Sequence, residues 1–451
     1  MEEKEGTMLR SSPPADRGSA LSLEISTTGE SPPTVGGPYA YYVLGVLFVV
    51  YIFNFIDRQI LAILLQPIKE DLAISDTALG FLTGFAFAVF YAFAGLPLAR
   101  LADRWVRRSL IAISLATWSV MTAASGLARG FIDLALARIG VGIGEAGATP
   151  PAHSLLSDYF PPEKRATVLA LYACGVYVGV GIGLWLGGWI NDVYGWRVAF
   201  MVVGLPGVLL AVVVRFTIRE PPRGLSEQRP IGARAYNLRE TWRFFAALPS
   251  GRSISFAAGF HAFAGYGLGA WLPAFFVRLH HMTPGELGLW LSWITIVGGA
   301  SGALLGGWLA DRWVQREPRA RAYIGMVGVL LTIPFVAASL LLTDHRLALL
   351  SFLPATLFGS LWIGPAGSIV QDLVPPAMRA MASAIFIFLL TIIGLGAGPQ
   401  AVGAMNDWLG TPDAIRYSLL YTTVVMNLAA AWFFWRTAKT LVHDLEAKKG
   451  L

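Results

Sequence analysis

The sequence predicts an all-α integral membrane protein of twelve transmembrane helices, arranged as two pseudo-symmetric six-helix bundles. Composition is the first reason: 55% of the 451 residues are hydrophobic and only 14% are charged, which is too apolar for a soluble domain of this size. The second reason is a series of twelve apolar stretches, since about 20 apolar residues cross a bilayer as a helix. The third is an internal repeat that relates the two halves of the chain.

The elements are predicted in order along the chain. Residues 1–37 are polar and rich in Pro, Ser and Gly, so we expect a disordered cytoplasmic tail without a secretory signal. The N-terminal bundle is expected over 38–218, a cytoplasmic linker over 219–252, the C-terminal bundle over 253–437 and a second cytoplasmic tail over 438–451. The twelve predicted spans are 40–66, 77–100, 109–128, 132–157, 165–190, 197–218, 253–278, 285–309, 322–343, 347–371, 379–404 and 415–436.

The distribution of Lys and Arg predicts the orientation in the membrane. With both termini in the cytoplasm, 26 of the 34 basic residues fall in cytoplasmic loops and tails, six fall in the opposite loops and two lie inside spans. Cytoplasmic loops of membrane proteins carry such an excess. We therefore expect a multi-pass protein of a bacterial inner membrane with both termini cytoplasmic. We attribute the net charge of +6 to this topology and predict no nucleic-acid partner.

Three segments of the first half recur in the second half, in the same order and on the same side of the membrane. The pairs are Leu101–Val106 with Leu309–Val314, Asp158–Arg165 with Asp372–Arg379, and Asn191-Asp192 with Asn406-Asp407. Repeats of equal orientation are related by an axis along the membrane normal. Two such bundles with a site between them suit alternating access to the two faces of a membrane.

Four charged residues interrupt the apolar stretches: Asp57 and Arg58 in the first, and Arg138 and Glu145 in the fourth. A charge at mid-bilayer costs about 2.5–3.5 kcal/mol on insertion scales, and such residues are functional by default. We therefore predict a protonation switch. An arginine holds Asp57 or Glu145 when that carboxylate is ionised, and protonation frees Arg58 or Arg138 for an anionic substrate group. The alternative is a purely structural network of buried ion pairs.

The second half lacks these charges. The positions that correspond to the four charged residues are Gly265, Tyr266, Phe352 and Gly359. We therefore predict that the C-terminal bundle offers an aromatic and apolar wall, with Phe263, Tyr266 and Trp362 contacting the substrate. A charged wall opposite an apolar wall suits an amphipathic solute with a polar or anionic head.

Charged residues also stand at the cytoplasmic ends of the second and eighth spans. A carboxylate there can interact with the N-terminus of a helix of the other bundle, so we predict that Asp103 and Asp311 form a conformational latch on the cytoplasmic side. Arg104 and Arg108 are assigned to the same latch. For the two arginines, plain anchoring at the cytoplasmic surface is an equally favoured alternative.

The loop 99–108 resembles the signature of the major facilitator superfamily, which runs Gly-x-x-x-Asp-Arg-x-Gly-Arg-Arg; here Ala and Val replace the two glycines. Within the superfamily, Asp57-Arg58 and the segment from Arg138 to Arg165 resemble the spinster-type transporters. The resemblance implies the twelve-helix fold of that superfamily. It also implies efflux of lysolipids and sphingoid lipids for animal members, and proton coupling with an ill-defined substrate for bacterial members.

We expect a secondary active, proton-coupled transporter of an amphipathic, lysolipid-like or sphingoid-like substrate, acting as a monomer whose partners are protons, the substrate and membrane lipids. Two alternatives remain: proton-coupled transport of a small organic anion such as an aromatic acid, and pH-independent lipid scrambling. An enzyme is not predicted, because no nucleophile with a base and no metal-ligand cluster stands at membrane depth. No metal or cofactor is expected. His153 and His261 lie in apolar spans, where we favour structural hydrogen bonding over titration.

Overall fold

The computed structural model describes residues 34–226, 238–375 and 378–449, and these residues form helices and loops without strands. The helices of the N-terminal bundle are α1 (Pro38–Leu72), α2 (Asp76–Thr83), α3 (Phe85–Arg104), α4 (Arg107–Ser125), α5 (Phe131–Ala146), α6 (Thr149–Tyr159), α7 (Pro162–Tyr194) and α8 (Trp196–Thr217). Each of the first six predicted spans therefore corresponds to one helix or to two consecutive helices.

The linker and the C-terminal bundle follow the same scheme. Their helices are α9 (Leu238–Ala247), α10 (Pro249–His280), α11 (Pro284–Ile294), α12 (Ala300–Val314), α13 (Ala320–Leu341), α14 (His345–Ser360), α15 (Ile363–Leu373), α16 (Arg379–Leu390), α17 (Ala397–Leu409) and α18 (Ala414–Lys449). A π-helical turn, Thr295–Gly299, joins α11 to α12, and another, Thr391–Gly396, joins α16 to α17. The predicted all-helical fold is confirmed.

Ten of the described helical stretches are long and apolar enough, by length and composition, to cross a membrane. The third and fourth predicted spans are outside this set. The third, α4, begins with two arginines and contains several Ser and Thr residues. The fourth is divided at Gly147 into α5 and α6, and α5 carries Arg138 and Glu145. These two spans hold polar groups at membrane depth, which lowers their hydropathy.

The two ends of the described chain lie on one face of the bundle, because the helices that correspond to the twelve predicted spans separate them, and an even number of passes returns the chain to the same face. We call this the terminal face and the other the opposite face. On the terminal face, Arg107 Nη1 donates to Asp158 Oδ2 at 2.5 Å, and Arg321 forms an ion pair with Asp372. The two arginines are related by the same sequence offset as the two aspartates. The repeat therefore builds the same contact in each bundle.

The linker is fastened to both bundles at the terminal face. Arg107 Nε donates to Glu220 at 2.7 Å, which holds the start of the linker on the N-terminal bundle. Helix α9 is amphipathic, and its buried Thr241 and Phe245 face the C-terminal bundle. Residues 227–237, between these two attachments, lie outside the described part of the chain.

The two bundles pack closely near the opposite face, where α7 contacts α11 and α2 contacts α17. Glycines permit this approach: a Cβ atom on Gly188 would lie 2.2 Å from the Pro284 carbonyl oxygen, and one on Gly288 would lie 2.3 Å from the Leu184 carbonyl oxygen. Among the described residues, α12 and α16 make their extensive contacts within the C-terminal bundle, although Phe388 of α16 packs edge-on against Phe93 of α3 with ring centroids 5.9 Å apart. The space between the bundles is therefore closed at the opposite face.

Candidate functional site

An ion pair between Arg58 on α1 and Glu145 on α5 lies inside the N-terminal bundle. Arg58 Nε donates to a carboxylate oxygen of Glu145. Glu145 is fully buried, whereas the Arg58 side chain is 19% exposed. Removing one partner of such a pair leaves an uncompensated charge in a low-dielectric environment, which is strongly destabilising. Arg58, which holds Glu145, is more exposed than the other arginine of these apolar segments, Arg138.

Aromatic rings surround the Arg58 guanidinium. Its Cζ atom lies 5.0 Å from the centroid of Phe55, 4.9 Å from that of Phe87 and 4.7 Å from that of Tyr91. A cation over an aromatic face gains about 0.5–2 kcal/mol, more when it is desolvated. The rings therefore stabilise the guanidinium as a cation even when its carboxylate partner is neutralised.

Asp57 and Arg138 form a second, more deeply buried part of the cluster. Arg138 Nη1 donates to the backbone oxygen of Asp57 at 3.3 Å, and both side chains are at most 2% exposed. Among the described residues, neither Asp57 carboxylate oxygen has a hydrogen-bond partner. Because a buried, unpaired carboxylate is costly and a proton removes its charge, this geometry favours a neutral Asp57. Arg138 is therefore held against the backbone of α1 in this conformation, and its contact with a substrate stays a prediction.

A cavity of about 260 Å³ lies beside the cluster, mostly within the C-terminal bundle. Its lining is mainly apolar, with a few hydroxyl and amide groups. The lining residues are Gln59, Val180, Leu184, His261, Ala264, Gly265, Leu268, Gly269, Leu272, Pro273, Leu291, Thr295, Thr332, Val336, Phe352, Ala355, Thr356, Gly359, Ser360, Thr423 and Asn427. Gln59 follows Arg58 directly in α1, so the helix that carries Asp57 and Arg58 also contributes to the cavity wall.

The three aromatic residues predicted to contact substrate do not line this cavity in the described structure. The lining positions on α10 recur every three or four residues and form one helix face. Phe263 and Tyr266 fall outside that face, and Tyr266 is 39% exposed. Trp362 instead packs edge-on against the His261 ring, with centroids 5.6 Å apart. Phe352 contributes an aromatic ring to the cavity wall, and substrate contact by Phe263, Tyr266 and Trp362 stays a prediction.

His261 sits in a hydrogen-bonded setting at the cavity wall. Its Nδ1 lies 2.6 Å from Asn427 Oδ1, and its Nε2 lies 2.9 Å from the Gly359 carbonyl oxygen. Asn427 Nδ2 in turn donates to the Thr423 carbonyl oxygen at 2.8 Å. These contacts join three helices of the C-terminal bundle, which agrees with the structural interpretation of His261. His153 packs edge-on against Tyr172.

A polar network closes the opposite face. Arg278 of the C-terminal bundle donates from Nη1 and Nη2 to the two carboxylate oxygens of Asp76, at 2.6 and 2.8 Å. Lys69 Nζ and Asn406 Nδ2 donate to the same carboxylate at 2.5 and 2.9 Å. Bidentate, charge-assisted bonds of this kind are stronger than neutral ones. In the sequence, Lys69 and Arg278 served only as topology signals, so this network was missed.

The predicted latch at the terminal face is not engaged by the residues that the structure describes. The Asp103 side chain lies outside the described residues. Arg104 and Asp311 are exposed, and within the described part of the chain no hydrogen bond joins Asp311 to the N-terminal bundle. Arg108 Nη1 donates to the Ile218 carbonyl oxygen at 2.9 Å. This contact lies within the N-terminal bundle, at the end of α8, and a part of Arg108 in the latch stays a prediction.

Comparison with known proteins gives concordant matches. The Major Facilitator Superfamily model matches residues 47–399. An MFS-type efflux pump of Mycolicibacterium smegmatis is 33% identical over 411 residues, covering 90% of this chain and 94% of that protein. Protein spinster homolog 1 of Xenopus tropicalis is 28% identical over 432 residues, covering 88% and 80%. A crystal structure of a bacterial homologue of the human lysosomal transporter Spinster, inward-facing and unoccupied, superposes with a TM-score of 0.82 at 32% identity, covering 90% of this chain and 98% of that one.

Proposed function

This chain belongs to the Major Facilitator Superfamily and is a transporter of the spinster type, and from this premise we propose that it carries an amphipathic, lysolipid-like or sphingoid-like molecule in a proton-coupled, alternating-access cycle. One observation carries the proposal. A buried group of titratable charges on the N-terminal bundle adjoins a largely apolar cavity on the C-terminal bundle. Such a lopsided site matches a solute with one charged end and one apolar end.

The proton step follows from the different surroundings of the two carboxylates. Glu145 is paired with Arg58 and is ionised in this conformation, whereas Asp57 has no hydrogen-bond partner among the described residues and is neutral. A proton arriving at Glu145 removes the charge that holds Arg58. The guanidinium stays cationic within its aromatic cage and becomes free to bind an anionic group. Proton and anionic head are then bound together.

Arg58 is the residue that we assign to the substrate head, because it is the more accessible of the two buried arginines. Arginine binds phosphate or carboxylate through two parallel hydrogen bonds. The adjoining cavity takes the apolar part of the molecule, and each buried methylene contributes about 0.8 kcal/mol. Binding therefore requires both ends of the solute.

We assign the terminal face to the cytoplasm, because that face carries most of the Lys and Arg residues in loops and tails. The closed opposite face then makes this an inward-open conformation. The likeness to a structure described as inward-facing supports this assignment. The bacterial efflux pump among the relatives supports a bacterial inner membrane as the location.

Gradient-driven flux in proteoliposomes tests the proposed function. The panel contains a lysophospholipid, a phosphorylated sphingoid base and an aromatic acid, each with and without an imposed pH gradient. We expect saturable movement of the amphipathic solutes that accelerates with the gradient. Equal rates with and without the gradient would indicate a scramblase. Movement of the aromatic acid alone would indicate the organic-anion alternative.

Narrowing the cavity should weaken transport without weakening the fold. Gly265 lines the cavity, and a Cβ atom added there meets no heavy atom within 4 Å. Gly265→Leu therefore enters the cavity without an internal clash, and we expect the KM for a long-chain substrate to rise about tenfold, the loss of roughly two buried methylenes. The control is Gly45→Leu, also unobstructed but outside the cavity lining. Equal KM values for both variants would remove the cavity from the substrate site.

A further inference from the structure

We propose that Asp192 and Asp407 are positioning residues of the transport cycle: each reaches from one bundle to the other, accepts from backbone N–H groups in the first turn of a helix there, and holds the opposite face closed. The two contacts form a symmetric pair. Both contacts break when the carrier opens outward, so their strength sets the population of the outward-open conformation.

The geometry of the first contact is complete. Asp407, near the end of α17, accepts hydrogen bonds from the backbone N–H groups of Asp76 at 3.2 Å and Thr77 at 2.7 Å, and from the Thr77 hydroxyl at 2.6 Å. Asp76 and Thr77 are the first two residues of α2. The first N–H groups of a helix have no partner within the helix, and a carboxylate there also interacts favourably with the helix dipole.

The second contact repeats the first on the other side of the pseudo-symmetry axis. Asp192, near the end of α7, accepts a hydrogen bond from the Gly285 backbone N–H at 2.8 Å. Gly285 is the second residue of α11. Asp192 and Asp407 are equivalent positions of the sequence repeat. The repeated Asn-Asp segment therefore gives each bundle one carboxylate aimed at the other bundle.

Each target helix also has a cap from its own bundle, and the two caps divide the donors between them. Ser75 accepts from the Ala78 N–H at the start of α2, and Thr283 accepts from the Glu286 N–H at the start of α11. These local caps bind the third N–H of each helix. Asp407 binds the first and second N–H groups of α2, and Asp192 binds the second of α11, whose first residue is a proline without an N–H. These N–H groups lose their partners when the bundles separate. The helices themselves remain capped, so opening does not unravel them.

The two contacts differ in what surrounds them. Asp76 is also the acceptor for Arg278 and Asn406 of the C-terminal bundle, so ion pairing reinforces the contact made by Asp407. The position that corresponds to Asp76 in the second half is Pro284, which has no side-chain charge. The contact made by Asp192 therefore depends on the carboxylate and the helix end alone. This makes Asp192 the cleaner position for a test.

The test measures access from outside to a cysteine within the cavity. Leu272 lines the cavity in the outer half of α10 and is 2% exposed. The only cysteine of the sequence is first removed by Cys174→Ser, and Leu272→Cys is then introduced. The vesicles are oriented with the opposite face outward, and a membrane-impermeant maleimide is added to the external buffer. It reaches the introduced cysteine at position 272 only when the opposite face opens. We expect Asp192→Ala and Asp407→Ala each to raise the labelling rate about two- to thirtyfold, the range expected for loss of a helix cap. Asp→Asn at either position keeps an acceptor and should label at close to the wild-type rate.

Asp344 provides a matched control on the same face. Its carboxylate accepts from the N–H groups of Arg346 and Leu347 at 2.9 and 2.8 Å, so it caps α14 within its own bundle. The Leu347 N–H holds the pKa of Asp344 below its ordinary value. Asp344→Ala removes the same chemistry without touching the interface and should leave labelling unchanged.

Two results would overturn the proposal: wild-type labelling rates in Asp192→Ala, or an equal rise in Asp344→Ala, which would indicate general loosening. Asp192→Ala leaves the Asp76 network intact, so it remains decisive if Asp407→Ala does not fold. Size-exclusion profiles and thermal unfolding midpoints verify that each variant is folded. The labelling readout does not require a substrate or a proton gradient. The proposal can therefore fail independently of the proposed substrate class.

Discussion

Asp57→Asn is expected to abolish proton-driven accumulation of substrate while leaving the fold intact. Asn has nearly the same shape as a protonated Asp, and Asp57 is fully buried without a hydrogen-bond partner among the described residues. The variant therefore mimics the neutral state that this geometry favours and cannot ionise. Exchange of labelled for unlabelled substrate needs no change of protonation at this site, so exchange should persist.

The measurement compares gradient-driven uptake with substrate exchange in the same proteoliposomes. The control is Asp71→Asn, because Asp71 is an exposed carboxylate paired with Arg197 on the opposite face. That variant should retain both activities, since exposed ion pairs contribute only about 0–1 kcal/mol. Unchanged gradient dependence in Asp57→Asn would exclude Asp57 from the coupling step.

Removing the guanidinium in Arg58→Gln should abolish transport and also destabilise the protein. It leaves Glu145 buried without its cation, and breaking a buried pair from one side costs about 3–5 kcal/mol. Adding Glu145→Gln removes the orphaned charge. The double variant should therefore recover most of the lost stability. It should not recover transport, because both the proton site and the anion-binding group are gone.

Thermal unfolding and flux measured on the two single variants and the double variant form the double-mutant cycle. The effects of the two substitutions on the free energy of unfolding should be non-additive, whereas their effects on the transport rate should show no such coupling. If the double variant transports at the wild-type rate, the pair is structural and the proposed switch is wrong. If Arg58→Gln retains both stability and transport, the ion pair is needed neither for the stability of the fold nor for transport.

The fold was largely predictable from the sequence, because span length, apolar content and loop charge are local properties. Helix α9 follows the same rule, since an amphipathic face is visible within ten residues. The third and fourth spans differed from the simple expectation because Gly147 interrupts one and polar residues reduce the hydropathy of both. The repeat predicted the symmetry of the two bundles, and the structure shows it in the matching ion pairs of Arg107 with Asp158 and Arg321 with Asp372.

The site was predictable in part. Adjacent helical residues point about 100° apart, so Asp57 and Arg58 had to face different surroundings. Which of them faces the cavity depends on the rotation of α1 within the bundle, and that rotation is set by packing against distant segments. For the same reason, Arg138 was assigned to the substrate, although it is buried against the backbone of α1. Phe263 and Tyr266 lie outside the lining face of α10.

The contacts that close one face were the least predictable part. Asp103 and Asp192 both stand at helix ends, and both are repeated in the second half. Sequence alone does not tell which end is closed, because the two conformations of a carrier share one sequence. The Asn-Asp repeat was therefore recognised as evidence of symmetry, whereas its contacts with the N-termini of α2 and α11 became visible only in the structure.

Proton movement recorded together with substrate movement tests the central claim most directly. A pH-sensitive dye is trapped in proteoliposomes without an imposed gradient, and a lysolipid is added outside. Because the protonated carboxylate frees Arg58 for the anionic head, proton and substrate should enter together. The lumen should acidify in proportion to uptake, and the signal should vanish in Glu145→Gln. Lysolipid entry without any change in lumenal pH would contradict the account.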